Sequence, residues 1–242
     1  MIFSQDTAGI LEEIGIEPPF IITDMKRIPE AELMDGEEQA RAYANADFDQ
    51  PHSLVMEYFM PCMNDLPKAG AWIDLGCGDG EITVRLAKLC PKACIDAVDG
   101  STAMLRYAKK RFEREHVNQQ IRLINATLPE IQLDKNSYDG ILSTSFLHHL
   151  HNPQVLWNCV RTLAKDNARI FIADLCRPQS EQQVDQLVEQ YAASEPQILQ
   201  RDFRNSLCAA FTPDEIKDQL KDAGITHLHT EIISDRHLIV HS

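Results

Sequence analysis

The sequence predicts an α/β protein, and three observations carry that prediction. The apolar run Ala71-Trp72-Ile73 leads into Asp74-Leu75-Gly76-Cys77-Gly78-Asp79-Gly80, and the helical pattern Ile82–Leu89 leads out, so the stretch reads as strand, glycine turn, helix. A second strand-like run, Cys94–Asp99, closes on an acid. Three more apolar runs, at 121–124, 138–143 and 168–174, alternate with helical patterns, as strands do when helices cross between them.

Length and charge bound the function. The 242 residues suit one α/β domain with an extension. With 23 basic and 37 acidic residues the net charge is −14, which argues against a nucleic-acid backbone or an anionic membrane surface as partner. Seven scattered cysteines, with no C-x-x-C pair, read as reduced thiols. With no signal-peptide pattern and no apolar run of bilayer length, a cytoplasmic location is expected.

Taken in order, residues 1–35 form an acidic arm broken by Pro18, Pro19 and Pro29, with a short helical piece at Gly9–Ile14. Two helical patterns follow between Gly36 and Met60, divided at Gln50-Pro51-His52. In the glycine turn the spacing is D-x-G-x-G-x-G, so the third glycine comes one residue earlier than in the dinucleotide fingerprint. Asp74 at its mouth would repel a pyrophosphate and attract an ammonium. A ligand with a cationic amino-acid end and a nucleoside end therefore fits better than a nicotinamide dinucleotide. Asp99 stands ~20 residues beyond the glycines, where such folds place an acid on ribose hydroxyls; its other reading is an N-cap for the helix that starts at Ser101-Thr102.

The glycine stretch resembles motif I of the class I S-adenosylmethionine-dependent methyltransferases, and Tyr138-Asp139 and Leu147-His148-His149-Leu150 are similar to later motifs of that family's small-molecule members. The resemblance is specific over about residues 70 to 175 and rests on element order elsewhere. It implies a doubly wound, seven-stranded, mostly parallel sheet with an antiparallel last strand, lid helices before the first strand and a helical insertion after the fifth. An arm and lid at 1–65, a methyltransferase domain at 66–242 and a substrate-covering insertion at 177–211, split near Pro196, are expected. The implied cofactor is S-adenosylmethionine, leaving as S-adenosylhomocysteine.

On that resemblance the cofactor contacts fall on Asp74, Gly76, Cys77, Gly78 and Gly80, on Asp99 and Gly100 at the ribose, and on Met104 at the adenine. Asn125, Ala126 and Thr127 follow the third strand, Ser143 and Ser145 stand at the fourth, and Tyr43 comes from the lid. Relatives often carry an acid after the third strand for the adenine amino group, and Asn125-Ala126-Thr127 has none. Asp47, Phe48, His52, Tyr191 and Arg204 are candidates for the acceptor wall; for Tyr43 and Phe48 ordinary helix packing is the competing reading.

For catalysis, His148 or His149 after strand four, oriented by Asp174 at the end of strand five, matches a base-and-orienter pair of some relatives. No metal centre is expected, because adjacent histidines diverge and no further ligand is evident. The expected reaction is methyl transfer to a small-molecule acceptor by a monomer or homodimer. An RNA- or protein-modifying enzyme of the same fold and a non-catalytic cofactor-binding subunit are the alternatives. Near the C-terminus, Thr212-Pro213-Asp214-Glu215 reads as a capping box, and closing strands are expected at about 226–233 and 236–241.

Overall fold

The computed structural model describes residues 25–30, 33, 35–62 and 69–242; the helical piece expected at Gly9–Ile14 lies outside the described residues. Seven strands form one sheet: β1 (Ala69–Leu75), β2 (Lys92–Asp99), β3 (Ile121–Asn125), β4 (Tyr138–Thr144), β5 (Ala164–Leu175), β6 (His229–Ile232) and β7 (His237–His241), in the order β3-β2-β1-β4-β5-β7-β6. β7 runs antiparallel to both its neighbours, and the other pairings are parallel. This is the doubly wound sheet with a reversed final strand that the sequence predicts. The strand order reverses between β1 and β4, so their carboxyl ends open a crevice at the switch point.

Two-residue alternation sorts the core onto both faces of the sheet. Trp72, Leu142, Phe171 and Ile239 face one layer, and Ile73, Ile141, Ile170, Ile172 and Val240 face the other. The first layer is closed by α2 (Asp49–Cys62), α3 (Glu81–Leu89) and α4 (Thr102–Arg114), through Phe59, Leu86 and Phe112 among others. The second is closed by α5 (Gln154–Leu163) and α8 (Pro213–Asp222), through Trp157, Val160, Ile216 and Leu220. The insertion is two helices, α6 (Glu181–Ala192) and α7 (Gln197–Ala209), separated at Pro196 and packed on Leu175 through Val184, Leu187 and Leu207.

The lid departs from the expected division. Helix α1 (Glu37–Asn45) ends before Ala46, and α2 begins at Asp49, so the break lies at 46–48 and Pro51 sits inside the first turn of α2. Proline is tolerated there because a first-turn N–H has no intrahelical acceptor. The Asp47 side chain instead accepts the Asp49 amide at 2.9 Å, which opens the helix. Among the described residues no helix is long and apolar enough to cross a membrane, and no two cysteines are joined.

The predicted capping box is present. Thr212 Oγ1 accepts from the Glu215 amide, and the Glu215 carboxylate accepts from the Thr212 amide at 2.8 Å. Thr212→Ala should cost about 1 kcal/mol, read as a drop of about 2–4 °C in a melting curve for a chain of this size. An unchanged melting temperature would leave the cap without energetic weight.

Candidate functional site

The glycine turn is shaped by its neighbours. Gly76, Gly78 and Gly80 have φ of +77°, +55° and +79°. A Cβ on Gly76 would come within 2.4 Å of the Phe146 ring, and one on Gly80 within 2.4 Å of Phe112. On Gly78 the nearest atom would be the Met104 methyl at 3.4 Å, ordinary contact, so that position leaves room above the backbone. The amides of Gly76 and Cys77 both donate to the Val98 carbonyl at 2.9 Å, which ties the turn to β2. Gly80 precedes α3 with no side-chain cap, so the helix end keeps its partial positive charge toward the crevice.

Asp74 is 1 % exposed. One carboxylate oxygen accepts from Thr83 Oγ1 at 2.6 Å, and the other is buried with no hydrogen-bond partner among the described residues. Burial pushes the Asp74 carboxyl up to about 7, and the Thr83 hydrogen bond opposes this. A buried acceptor without a donor is costly, and a cationic amino group beside it would remove that cost and favour the ionised form. Asp99 accepts from the Gly78 amide and the Ser101 amide, each at 2.8 Å, so the same carboxylate clamps the glycine turn and starts α4. The cap at Ser101 is also real: its hydroxyl accepts from the Met104 amide. Both readings of the acid thus meet at one place, with lone pairs left on Asp99 for further donors. These residues fit the amino-acid and ribose ends of the implied cofactor.

The other cofactor candidates divide. Met104 is buried beside Ala40, Ala103, Tyr43 and Tyr107, where α1 lies on α4. Tyr43 stacks on Phe48 with centroids 4.6 Å apart, and burial followed by the charges of Asp79 and Glu81 pushes its hydroxyl pKa up. Phe48 in turn meets His52, whose Nδ1 lies 3.0 Å from Glu81. Gly100 lies against Leu33 and Thr127. Asn125 donates to the carbonyls of Asp99 and Gly100, and Thr127 donates to Glu130 at 2.7 Å. The Cys77 thiol is held well above its ordinary pKa, first by burial and then by Asp74, so it is no nucleophile. Ser143 is fully buried and donates to the Leu75 carbonyl at 2.6 Å, joining β1 to β4.

On the acceptor side, Ser145 takes a φ of +49° and donates its amide to the Ala173 carbonyl at 2.9 Å. This turns the chain so that the short 3-10 helix Leu147–His149 lies over the end of β5. His148 is 2 % exposed, its Nδ1 is 2.5 Å from Asp174 Oδ1, and its amide donates to Asp174 Oδ2 at 3.2 Å. The Leu175 amide fixes the same carboxylate at 2.6 Å. Burial alone would lower the His148 pKa, but the charge and hydrogen bond of Asp174 outweigh it and raise it. The structure therefore brings His148 and Asp174 together as expected. Their arrangement makes Nδ1 the donor to Asp174 and turns Nε2 toward the arm.

His149 does not point away from His148. The two rings lie 4.3 Å apart at 33°. Both rings face Glu30: its Oε1 is 3.4 Å from His148 Nε2 and 3.4 Å from His149 Nδ1. The arm that carries Glu30 is pinned by Arg27, which donates to the carbonyls of His148, Leu150 and Ala209 and stacks its guanidinium 4.0 Å from the Phe211 ring. Glu30 also accepts from Ser206 on α7 at 3.0 Å. Arg27, Glu30, Ser206, Thr83 and Phe146 are site residues that sequence reasoning missed. Thr83 lies only nine positions from Asp74, within the strand–turn–helix stretch, whereas Arg27, Glu30, Ser206 and Phe146 act on residues far along the chain and no local pattern marks them. Tyr191 and Arg204 have other partners: Tyr191 bonds Asp235 and stacks on Arg236, and Arg204 pairs with Asp185.

The methyltransferase-domain family profile matches residues 73–167, which run from β1 into β5 and include the glycine turn, Asp99 and the histidines. An uncharacterized methyltransferase of Mycobacterium tuberculosis is 28% identical over 106 residues, 44% of this chain and 51% of that protein. A malonyl-[acyl-carrier protein] O-methyltransferase of Priestia megaterium is 33% identical over 104 residues, 43% of this chain and 35% of that protein. The chain thus spans about half or less of the length of these curated relatives. Among solved structures, the plantazolicin methyltransferase BpumL in complex with SAH superposes with a TM-score of 0.64 at 15% identity, over 84% of this chain and 90% of that one. Sheet order and glycine turn agree with a methyltransferase-domain match over residues 73–167, and in these the chain is similar to the class I S-adenosylmethionine-dependent methyltransferases.

Proposed function

We propose that the protein transfers a methyl group from S-adenosylmethionine to a small-molecule acceptor, as a cytoplasmic monomer or homodimer. The observation that carries the cofactor is the buried, unpartnered Asp74 oxygen beside a glycine turn clamped by Asp99. When bound, the cofactor supplies a sulfonium methyl that is already strongly electrophilic, so the chain's own task is alignment and proton removal. Asp74 and the uncapped α3 terminus would hold the amino-acid end, Asp99 the ribose, and Met104 with Tyr43 the base-side wall. Asp174 holds His148 in one tautomer, and Nε2 would take the acceptor's proton where the nucleophile is protonated. Glu30 of the arm, held by Ser206 on α7, faces that nitrogen.

An RNA-modifying reading loses support from the basic run on α4. Of the run Arg106, Lys109, Lys110, Arg111 and Arg114, three pair with acids of the same chain: Arg106 with Glu37, Arg111 with Asp79 and Arg114 with Glu115. The named acceptors of the similar proteins differ, malonyl-[acyl-carrier protein] in one and plantazolicin in another, and neither is a nucleic acid.

Calorimetry tests this reading. S-adenosylmethionine and S-adenosylhomocysteine should bind and NAD should not. Asp99→Ala should weaken both by roughly tenfold to a hundredfold, since a hydrogen bond to a charged group is worth ~1.5–3 kcal/mol. Binding of NAD alone, or an Asp99→Ala protein with unchanged affinity, would overturn the assignment.

A further inference from the structure

We propose that Glu30, His148 and His149 form a binding site for a divalent transition-metal ion, zinc by preference, with Asp174 as the supporting carboxylate. The three donor atoms are Glu30 Oε1, His148 Nε2 and His149 Nδ1, and they lie within 4.8 Å of one another. The two separations from Glu30 are 3.4 Å each. That is longer than a charge-assisted hydrogen bond, about 2.7–2.9 Å. It is close to the edge of a tetrahedron, about 3.3 Å, that follows from zinc bonds of about 2.0–2.1 Å to nitrogen and oxygen.

The surroundings are those of a ligand set. A metal-bound imidazole characteristically donates its second ring N–H to a carboxylate, which fixes the tautomer and raises ligand basicity. His148 does this to Asp174 at 2.5 Å, and Asp174 is itself held by the amides of His148 and Leu175. Ser206 gives Glu30 a comparable support at 3.0 Å. Two imidazoles and one carboxylate favour zinc, iron or nickel over magnesium or calcium, which take oxygen ligands. Three protein ligands leave a fourth position for water or for an oxygen, nitrogen or sulfur of another molecule.

One ligand comes from the arm and two from the end of β4, so the ion would staple the arm onto the sheet edge. It would also occupy His148 Nε2, the nitrogen assigned above to proton removal. This consequence rests on the methyl-transfer reading; the metal site itself does not.

The test uses the full chain, without an affinity tag, stripped with chelator and titrated with Zn²⁺ or Co²⁺ alone. About one equivalent should bind, with a tetrahedral Co²⁺ absorption band. Asp174→Asn should weaken binding ~10–100-fold, and Glu30→Gln and His149→Gln should each weaken it at least as much and abolish the band. Melting curves of these variants in chelator establish that they fold. His229→Ala should keep the equivalent, because His229 and His241 form a separate pair near Glu231. Binding that survives Glu30→Gln and His149→Gln, or no binding tighter than theirs, overturns the site. Turnover then separates the two proposals. Zinc should slow the wild-type enzyme, with chelator restoring it. Zinc that binds with all the expected losses yet accelerates turnover supports the site and removes His148 as base.

Discussion

His148→Ala, assayed in chelator at saturating cofactor, should lose ~10²–10⁴ in turnover, the usual contribution of a positioned general base. Cofactor affinity should stay near wild type, because His148 stands over β5 while Asp74 and Asp99 hold the opposite side of the crevice. Asp174→Asn should fall in the same direction, since an amide cannot stabilise the imidazolium and permits the wrong tautomer. His149→Ala should cost far less in chelator, because its Nδ1 faces Glu30 on the arm rather than a carboxylate held by backbone amides at the strand end. The measurement is initial velocity beside calorimetric affinity for each variant. If the acceptor presents a free amine, thiolate or enolate, His148→Ala will turn over like wild type, and alignment alone will remain as the mechanism.

Gly76→Ala should destabilise the fold by roughly 2–5 kcal/mol. A side chain at a φ of +77° costs about 1–2 kcal/mol, and forcing a Cβ to within 2.4 Å of the Phe146 ring adds about 1–3 kcal/mol of overpacking. For a chain of this length that corresponds to a melting temperature lower by roughly 10 °C. Gly224→Ala separates the two costs, because Gly224 has a φ of +70° and a Cβ there would meet nothing within 4 Å. It should lose only the backbone part. Equal denaturant midpoints for the two variants would mean that Phe146 yields freely and does not seat the glycine turn.

The sheet was legible because period-two runs and the glycine turn are local signals. β1, β2, β3 and β4 fall close to where the apolar runs stand, and Pro196 separates two helices as its fixed φ and missing N–H dictate. Asp99 was legible as the acid that ends β2, where the structure has it accepting from the Gly78 and Ser101 amides. The lid division was misplaced by weighing Pro51 as a breaker, when a first-turn proline is neutral and the Asp47 side chain makes the start. β5 begins at Ala164, earlier than the apolar run, because its first residues are polar and pair only at Tyr138↔Ala164 before a register shift.

By itself, then, the sequence determined the α/β class, the strand–glycine–helix unit, the cofactor type and the pairing of a histidine with Asp174. The first two follow from residue type and short-range spacing, which the chain carries wherever it folds, and the last two from the resemblance of its motifs to a known family. Tertiary structure alone decided what stands on the other side of those residues. Thr83 leaves half of Asp74 unsatisfied, Phe146 forbids a side chain at Gly76, and a 3-10 turn brings two histidines together under Glu30. Glu30 and His148 are 118 positions apart in a chain that gives no local sign of their meeting. Arg27 closes that distance by bonding the carbonyls of His148, Leu150 and Ala209, a contact that exists only once β4, β5 and α7 are in place.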